Sequence, residues 1–374
     1  MSYKSYRKCY NKEMKDRKIL YLSLISFLIY LNSFFNPFIW DDFHLIVTNP
    51  YIKNFKNFRF YFTTDLFRGG SSNFYRPLQT IFYALIYKIF KLNPVGYHLL
   101  NIFLHTFCAI LFYILLKEIY GEKISFLASL LWAVHPINTE AVTYISGTAD
   151  PLFLFFGLLC IYFYNLSFSK NHFGGIEPFK LNTFSFFQRE EGRNKRKVLF
   201  LILSYLSFIF SLLSKETGVL ILFLFFLYQY STNNLKKERI QDYLIITLIF
   251  VMYFLLRQIV LKFATITPED VFLVRFYTAF KGFLIYLSIF LFPFILSMER
   301  HISYIKTAKN IDFLAGFFIF LLIIYFIYRK RTDKKILFAG LLFIVNWLFH
   351  SNILIPLNGN LREHWMYFGG IGFF

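Results

Sequence analysis

Long apolar runs constrain this chain more than any other feature of its sequence. Several of them approach the roughly 20 residues that an α-helix needs to cross a bilayer. Hydrophobic types make up 57% of the 374 residues and charged types only 16%, whereas a soluble domain carries roughly 25% charged residues. A single globular core could not bury so much apolar surface. The sequence therefore predicts an all-α polytopic membrane protein.

The apolar runs divide the chain into candidate membrane spans. The first helix extends from Ile19 to Ile39 and is too long for the apolar core of a signal peptide, so we expect it to be retained. Further candidate spans lie at 98–116, 124–138, 150–167, 198–213, 218–230, 242–262, 276–297, 311–328 and 335–350. A last apolar run begins near Met366 and reaches Phe374, so we expect the sequence to be truncated at its C-terminus.

The positions of the basic residues predict the orientation. The formal net charge is +19, but the basic residues form short blocks between apolar runs. This distribution indicates loops at an anionic membrane face rather than a nucleic-acid-binding surface. The basic tail at 1–18 and the polar stretch at 168–197 are predicted to be cytoplasmic. If 233–241 is cytoplasmic, three crossings after it would place the basic segment 329–335 outside, against the preference of basic loops for the cytoplasmic face. We therefore expect the helix at 276–297 not to cross fully.

A large external loop over residues 40–97 is predicted to follow the first helix. Within it, Pro77 to Phe90 shows helical patterning with proline in the first turn. The segment is too short to span, which favours an interfacial helix. Polar Gln79 and Tyr83 fall on one face of this helix.

Two adjacent aspartates, Asp41 and Asp42, open this loop directly after Trp40. Adjacent carboxylates repel each other, so one pKa rises while the other group stays ionised. One carboxylate could act as a general base, while the other orients it or holds a cation. The alternative is a hydrated end of a helix, where acidic residues are common.

Further polar clusters interrupt the apolar pattern, and most of them map to the external side. They are Tyr75-Arg76-Pro77, the helical face of His98, Asn101 and His105, the run from His135 to Glu140 that continues to Asp150, the pair Lys215 and Glu216, and Arg362-Glu363-His364. Arg76 could clamp a phosphate or extend to the interface as a snorkelling side chain. Lys215 and Glu216 could form a structural ion pair or contact a phosphate.

The order of these motifs is similar to that in a known family. The chain resembles the membrane region of the transmembrane and tetratricopeptide-repeat O-mannosyltransferases and their bacterial relatives, which have the C-type glycosyltransferase fold. The matching stretches are Trp40-Asp41-Asp42, Tyr75-Arg76-Pro77-Leu78, Asn93 to His98, His135 to Val142, Gly147 to Asp150 and Leu213 to Glu216. Thr148 stands where the family pattern has an arginine, and the sequence contains no tetratricopeptide repeats.

The resemblance implies a C-type glycosyltransferase-like helical bundle over residues 19–374. It also implies a catalytic carboxylate at Asp41 or Asp42 and a polyprenyl- or dolichyl-phosphate sugar donor that enters laterally from the bilayer. The remaining residues expected to bind the donor or acceptor are Arg76, His98, His105, His135, Glu140, Asp150, Lys215, Glu216, Arg362 and Glu363. No cofactor is expected with certainty, although the aspartates could hold a divalent metal ion.

The resulting hypothesis is a mannosyltransferase-like membrane glycosyltransferase that acts on the external face of a bacterial cytoplasmic membrane. The sugar would move from a polyprenyl-phosphate carrier to a protein hydroxyl, a glycan or a lipid. The rival hypothesis is a transporter or flippase for an anionic lipid or solute. A transporter should carry ionisable residues near the middle of its spans and often repeated halves, whereas here the charges gather at one face.

Overall fold

The structure is a computed structural model that describes residues 17–68, 72–169, 190–261, 271–357, 359 and 361–374. Across these ranges the ordered elements are helices, with no β-strand among them. Among the described residues, seven helices are long and apolar enough to cross a membrane. The prediction of an all-α polytopic membrane protein is therefore confirmed.

The helices follow one another with short connections, several of them 3-10 turns. In chain order they are α1 (Arg17–Phe35), α2 (Phe58–Thr63), α3 (Pro77–Phe90), α4 (Pro94–Tyr120), α5 (Glu122–Val134), α6 (Thr139–Thr143), α7 (Ala149–Phe168), α8 (Glu190–Ser214), α9 (Leu220–Ser231), α10 (Ile240–Val260), α11 (Phe272–Leu291), α12 (Ile311–Arg329) and α13 (Lys334–His350). Among the long helices, α4 and α7 are the most buried, whereas α1, α10 and α12 expose most of their side chains. The exposed side chains are apolar, as expected for helices that face lipid.

One predicted span ends earlier than the sequence indicated. The run at 124–138 forms α5, which ends at Val134 because Pro136 keeps His135 in an extended conformation with ψ 130°. The run at 218–230 forms the short helix α9. The helix α8 begins at Glu190, within the predicted cytoplasmic loop at 168–197. Residues 1–16 of the predicted basic tail and 170–189 of this loop lie outside the described residues.

The helix α3 forms as predicted, with Pro77 in its first turn. Its polar face is the buried one, because Gln79 and Tyr83 pack inward. Leu85 and Ile89 on the other face are exposed. This arrangement reverses that of a helix in a soluble protein and fits a helix whose outer face meets lipid.

Several contacts between helix ends show which of these ends lie on the same side of the bundle. Lys18 forms an ion pair with Glu122, and the Tyr120 hydroxyl donates a hydrogen bond to the Lys335 carbonyl. The Lys334 ammonium lies 2.9 Å from the Tyr230 carbonyl oxygen. The start of α1, the α4–α5 turn, the end of α9 and the start of α13 therefore lie on one side of the bundle.

Two contacts link the region of α11 to the segment that follows α13. Arg275 near the start of α11 donates a hydrogen bond to the Asn352 carbonyl. Ser297, six residues after its end, donates its backbone N–H to Glu363. The expectation that the helix at 276–297 does not cross fully stays a prediction.

Candidate functional site

A cavity of about 370 Å³ lies on the side of the bundle opposite to the α4–α5 turn. The residues that line it come from the end of α1, the segment before α7, the segment after α11 and the segment after α13. They are Asn36, Pro37, Ile39, Asp42, Thr139, Glu140, Thr143, Tyr144, Leu296, Ser297, Met298 and Glu363. Three carboxylates that are distant in sequence, those of Asp42, Glu140 and Glu363, therefore share one cavity.

The Asp42 carboxylate is fully buried and fixed by three donors. Its Oδ2 accepts the backbone N–H of Ile39 at 3.0 Å. Its Oδ1 accepts the backbone N–H of Ser146 at 2.8 Å and also the Ser146 hydroxyl. Burial raises the pKa of Asp42, the three hydrogen bonds lower it, and the neighbouring charge of Asp41 raises it further. Asp42 is thus held in one orientation.

Asp41 differs from its neighbour because it is exposed. Its backbone N–H donates a hydrogen bond to the Tyr144 hydroxyl at 3.2 Å. The Trp40 ring packs edge-on against the Tyr144 ring at 6.4 Å, and Trp40 itself has φ 45°. A non-glycine residue in this region of φ is uncommon and is strained unless its surroundings hold it. The turn thus presents Asp41 outward and Asp42 inward.

Glu140 forms the second charged wall of the cavity, with His364 as its partner. One carboxylate oxygen accepts the His364 backbone N–H at 2.9 Å, and the other lies 2.6 Å from His364 Nδ1. Burial raises the pKa of Glu140 to about 7, opposed by the positive charges of Lys215 and Arg362. Burial and the same two cations lower the pKa of His364 to about 3.

Glu363 is paired from the segment that follows α11. Its Oε1 lies 2.8 Å from the Arg300 guanidinium and accepts the Ser297 backbone N–H at 2.7 Å. Burial raises the pKa of Glu363, and Arg300 opposes this rise. The neighbouring Arg362 is half-buried, and its guanidinium lies 3.4 Å from the Glu299 carboxylate, its ion-pair partner among the described residues. Arg362 is therefore the least tightly paired of the predicted phosphate contacts.

The other two predicted phosphate contacts are engaged by carboxylates. Arg76 forms an ion pair with Glu216 at 2.9 Å, and Lys215 forms one with Asp150 at 2.6 Å. Lys215 and Asp150 are nearly inaccessible to solvent. The positive charge at these positions is largely compensated within the protein. Lys215 and Glu216 each form an ion pair, but with Asp150 and Arg76 and not with each other as predicted.

The predicted histidines bond to neighbouring parts of the chain. His98 Nε2 contacts the Asn36 carbonyl, and His105 lies between the Ala133 carbonyl and the Tyr367 hydroxyl. His135 Nδ1 accepts a backbone N–H while Nε2 faces the Phe290 carbonyl at 3.2 Å. Both ring nitrogens of His105 and His135 thus contact other atoms of the chain.

Sequence reasoning missed the partners that fix the carboxylates. Ser146 and Tyr144 lie beside the quoted motifs, but their contact with the aspartates joins segments about a hundred residues apart. Ser297 and Arg300 fall at and just after the end of the predicted span 276–297, a region that Arg275, Lys281 and Pro293 interrupt.

The structure also bears on a metal site. Among the residues it describes, no three His, Cys, Asp or Glu side chains approach closely enough to hold a metal ion. The Asp42 oxygens that would serve as ligands already accept three protein hydrogen bonds. The donor set at the aspartates therefore does not fit a resident divalent cation.

Several curated proteins that resemble this chain are named as protein O-mannosyl-transferases. No family model matches this chain. The Caenorhabditis elegans protein O-mannosyl-transferase F38B6.6 is 34% identical over 154 residues, which cover 39% of this chain and 22% of that protein. The Xenopus laevis protein O-mannosyl-transferase tmtc2 is 39% identical over 147 residues, or 37% of this chain and 18% of that protein.

The human protein O-mannosyl-transferase TMTC1 matches a longer part, with 31% identity over 222 residues that cover 57% of this chain and 24% of the human protein. The matches thus span less than a quarter of the length of each of these relatives. Over these partial alignments the chain is similar to proteins that are named as protein O-mannosyl-transferases.

Proposed function

We propose that this chain is a membrane glycosyltransferase that moves a sugar, with mannose as the first candidate, from a polyprenyl-phosphate carrier to an acceptor hydroxyl. The observation that carries the proposal is the cavity that Asp42, Glu140 and Glu363 line together, with the exposed Asp41 directly beside Asp42. The similarity to proteins named as O-mannosyl-transferases supports the reaction class. The cavity faces away from the basic loops, which supports an acceptor on the external side.

The two aspartates take different roles in this mechanism. Asp41 is exposed, so it can approach an acceptor hydroxyl and remove its proton as a general base. Asp42 orients the turn through its bonds to Ser146 and Ile39. The acceptor oxygen then forms a bond to the anomeric carbon while the bond from that carbon to the phosphate oxygen breaks. The electron pair leaves with the carrier phosphate.

The charge that develops on the leaving phosphate requires nearby donors. Arg362 is the best candidate, because it is partly exposed and loosely paired with Glu299. Lys215 and Arg76 lie deeper and interact electrostatically with His364 beside the cavity. They contribute to the field of the site while staying paired with Asp150 and Glu216.

The rims of the cavity suit a lipid-linked donor. Phe35 and Trp40 are exposed on one side of it, and Phe294 and Ile295 are exposed on the other. Exposed aromatic and aliphatic side chains of a membrane protein lie against acyl chains or at the headgroup level. A carrier could therefore keep its tail in the bilayer while its phosphate and sugar reach the cavity.

The test is a transfer assay in membranes with labelled polyprenyl-phosphate mannose and a serine- and threonine-containing peptide. Asp41→Asn should lower transfer by about 10²- to 10⁴-fold, the usual contribution of a general base. Asp333→Asn is the matched control, because Asp333 caps α13 at the opposite side and asparagine also caps helices well.

Full transfer by Asp41→Asn would overturn the base assignment. Translocation of the labelled carrier across sealed vesicles without transfer to any acceptor would instead favour the transporter hypothesis. The same assay with other polyprenyl-phosphate sugars and with lipid acceptors identifies the donor sugar and the acceptor class.

A further inference from the structure

The five residues from 144 to 148, here called the Tyr144 turn, are fixed from behind by two helices. Three consecutive backbone carbonyls of the turn each accept a hydrogen bond from a buried side chain of α3 or α4. The pairs are Asn101 Nδ2 with the Tyr144 carbonyl at 3.1 Å, Tyr83 Oη with the Ile145 carbonyl at 2.9 Å, and Gln79 Nε2 with the Ser146 carbonyl at 3.0 Å.

Additional bonds tie these donors to one another. Gln79 Nε2 also donates to the Tyr83 hydroxyl at 2.8 Å. The Thr148 hydroxyl lies 2.5 Å from Asn101 Oδ1 and 2.7 Å from the Ile145 carbonyl. Gln79, Asn101 and Thr148 have no exposed surface. In such a buried network each donor is costly to remove, because its partners lose a bond that water cannot replace.

The front of the same turn holds the aspartates. Ser146 donates its backbone N–H and its hydroxyl to Asp42, and the Tyr144 hydroxyl accepts the Asp41 N–H. The turn therefore stands between two helices on one side and the predicted catalytic pair on the other. A displacement of the turn would be passed directly to Asp41 and Asp42.

We propose that Gln79, Asn101 and Thr148 are positioning residues that set the location of the aspartate pair through the Tyr144 turn. They contact the turn on the side away from the aspartates, so they affect the reaction only through the turn. The inference rests on the proposed function, since it assumes that Asp41 removes the acceptor proton. A misplacement of about 1 Å in such a group can lower the rate about 100-fold.

The experiment uses a matched pair at one position. Thr148→Val keeps the shape and removes the hydroxyl, whereas Thr148→Ser keeps the hydroxyl. For the full chain in membranes, kcat and the donor KM are measured with polyprenyl-phosphate mannose. Thr148→Val should lower kcat by about 10- to 100-fold with little change in the donor KM, and Thr148→Ser should restore most of it. Gln79→Leu should behave like Thr148→Val.

Double variants separate positioning from general stabilisation. In the Asp41→Asn background, Thr148→Val should have little further effect on the residual kcat, because the group that it positions is already absent. A purely structural role would lower kcat by the same factor in both backgrounds. Folded protein is measured for every variant by size-exclusion chromatography and thermal unfolding in detergent.

The outcomes distinguish this inference from the proposed function. Wild-type kcat in Thr148→Val and Gln79→Leu, with Asp41→Asn inactive, would overturn the positioning role and leave the proposed function standing. Equal losses from Thr148→Val in both backgrounds would also overturn it. Full activity of Asp41→Asn would overturn the proposed function itself.

Discussion

Glu140 and His364 are joined by two contacts although 224 positions separate them in the chain. The His364 backbone N–H and its Nδ1 each engage a different oxygen of the Glu140 carboxylate, at 2.9 Å and 2.6 Å. The pair connects the segment before α7 to the segment after α13, so it closes the cavity wall opposite Asp42. Glu140, whose pKa is raised to about 7, lines this cavity.

The first prediction concerns the pH dependence of stability. The folded-state pKa of Glu140, about 7, lies above the ordinary value of about 4.3 for glutamate. The folded protein therefore binds a proton that the unfolded chain has already lost, and the stabilisation from protonated Glu140 is full below pH 4.3 and lost as the pH rises through 7. The lowered pKa of His364 gives the opposite slope, with stability lost as the pH falls from about 6.5.

The contribution of Glu140 is isolated by comparison with Glu140→Gln. Thermal unfolding of both proteins in detergent from pH 4 to 8 should show the largest advantage for wild type at low pH and a decline toward pH 8. Glu122→Gln, at the opposite side of the bundle, is the control. A stability difference that stays constant over this range would contradict the raised pKa.

The second prediction concerns the buried ion pair of Lys215 and Asp150. Asp150→Asn leaves the Lys215 charge buried without its carboxylate, and removal of one partner from a buried pair typically costs about 3–5 kcal/mol. The double variant Asp150→Asn with Lys215→Met removes both charges and should be more stable than the single variant. Unfolding in detergent measures both.

The partly exposed pair of Lys281 and Asp312 provides the contrast for this prediction. Asp312→Asn should change the free energy of unfolding by about 0–1 kcal/mol, as is usual for surface pairs. An effect of Asp150→Asn as small as that of Asp312→Asn would mean that water reaches Lys215.

The third prediction concerns Gly218, which allows the Lys215–Glu216 turn to pack against α8. A Cβ at this position would lie 2.7 Å from the Ser211 carbonyl oxygen, a backbone atom that cannot rotate away. Gly218→Ala should therefore displace the turn, destabilise the protein by about 1–3 kcal/mol and lower transfer activity. Gly282→Ala is the control, because its Cβ would meet only a Leu361 methyl group at 3.4 Å. Equal stability of the two variants would contradict the close packing.

The sequence predicted the local features of the site better than its long-range pairing. The helix α3 was visible from its spacing and its first proline. The run from His135 to Glu140 was recognised as a polar interruption, although the span was predicted to reach residue 138 and α5 ends at Val134. Asp41 and Asp42 looked equivalent, since only the contact of Asp42 with Ser146 distinguishes them. Such a contact depends on how α1 packs beside the turn, which periodicity does not encode.

The charge partners were unpredictable for the same physical reason. The carboxylates that neutralise Arg76 and Lys215 come from other segments of the chain, and a buried cation can be matched by any acid that the fold brings close. The far wall of the cavity was missed because Phe292 to Leu296 is apolar and resembles the end of a spanning helix. In a membrane protein, apolar character alone does not separate a lipid-facing loop from a span.

The last prediction concerns the topology around α11. Arg275 and Ser297 both reach the segment after α13, while Lys334 reaches the end of α9. A residue before α11 and a residue before α12 should therefore be accessible from the same side of the membrane, and the α12–α13 turn from the other. Single-cysteine variants at Val271, Lys309 and Arg331, in a chain whose native cysteines are replaced by serine, can be labelled with an impermeant maleimide in sealed vesicles of known orientation.

Val271→Cys and Lys309→Cys should label from the same side as Asp41→Cys, and Arg331→Cys only after the vesicles are permeabilised or inverted. The physical reason is the basic segment 329–335, whose charges favour the cytoplasmic face, together with the contacts of Arg275 and Ser297 with the segment after α13. Labelling of Val271→Cys and Lys309→Cys from opposite sides would show that α11 spans the bilayer. The segment after α11 could then not form the cavity wall with Glu363, and the contacts of Ser297 and Arg300 with Glu363 could not exist.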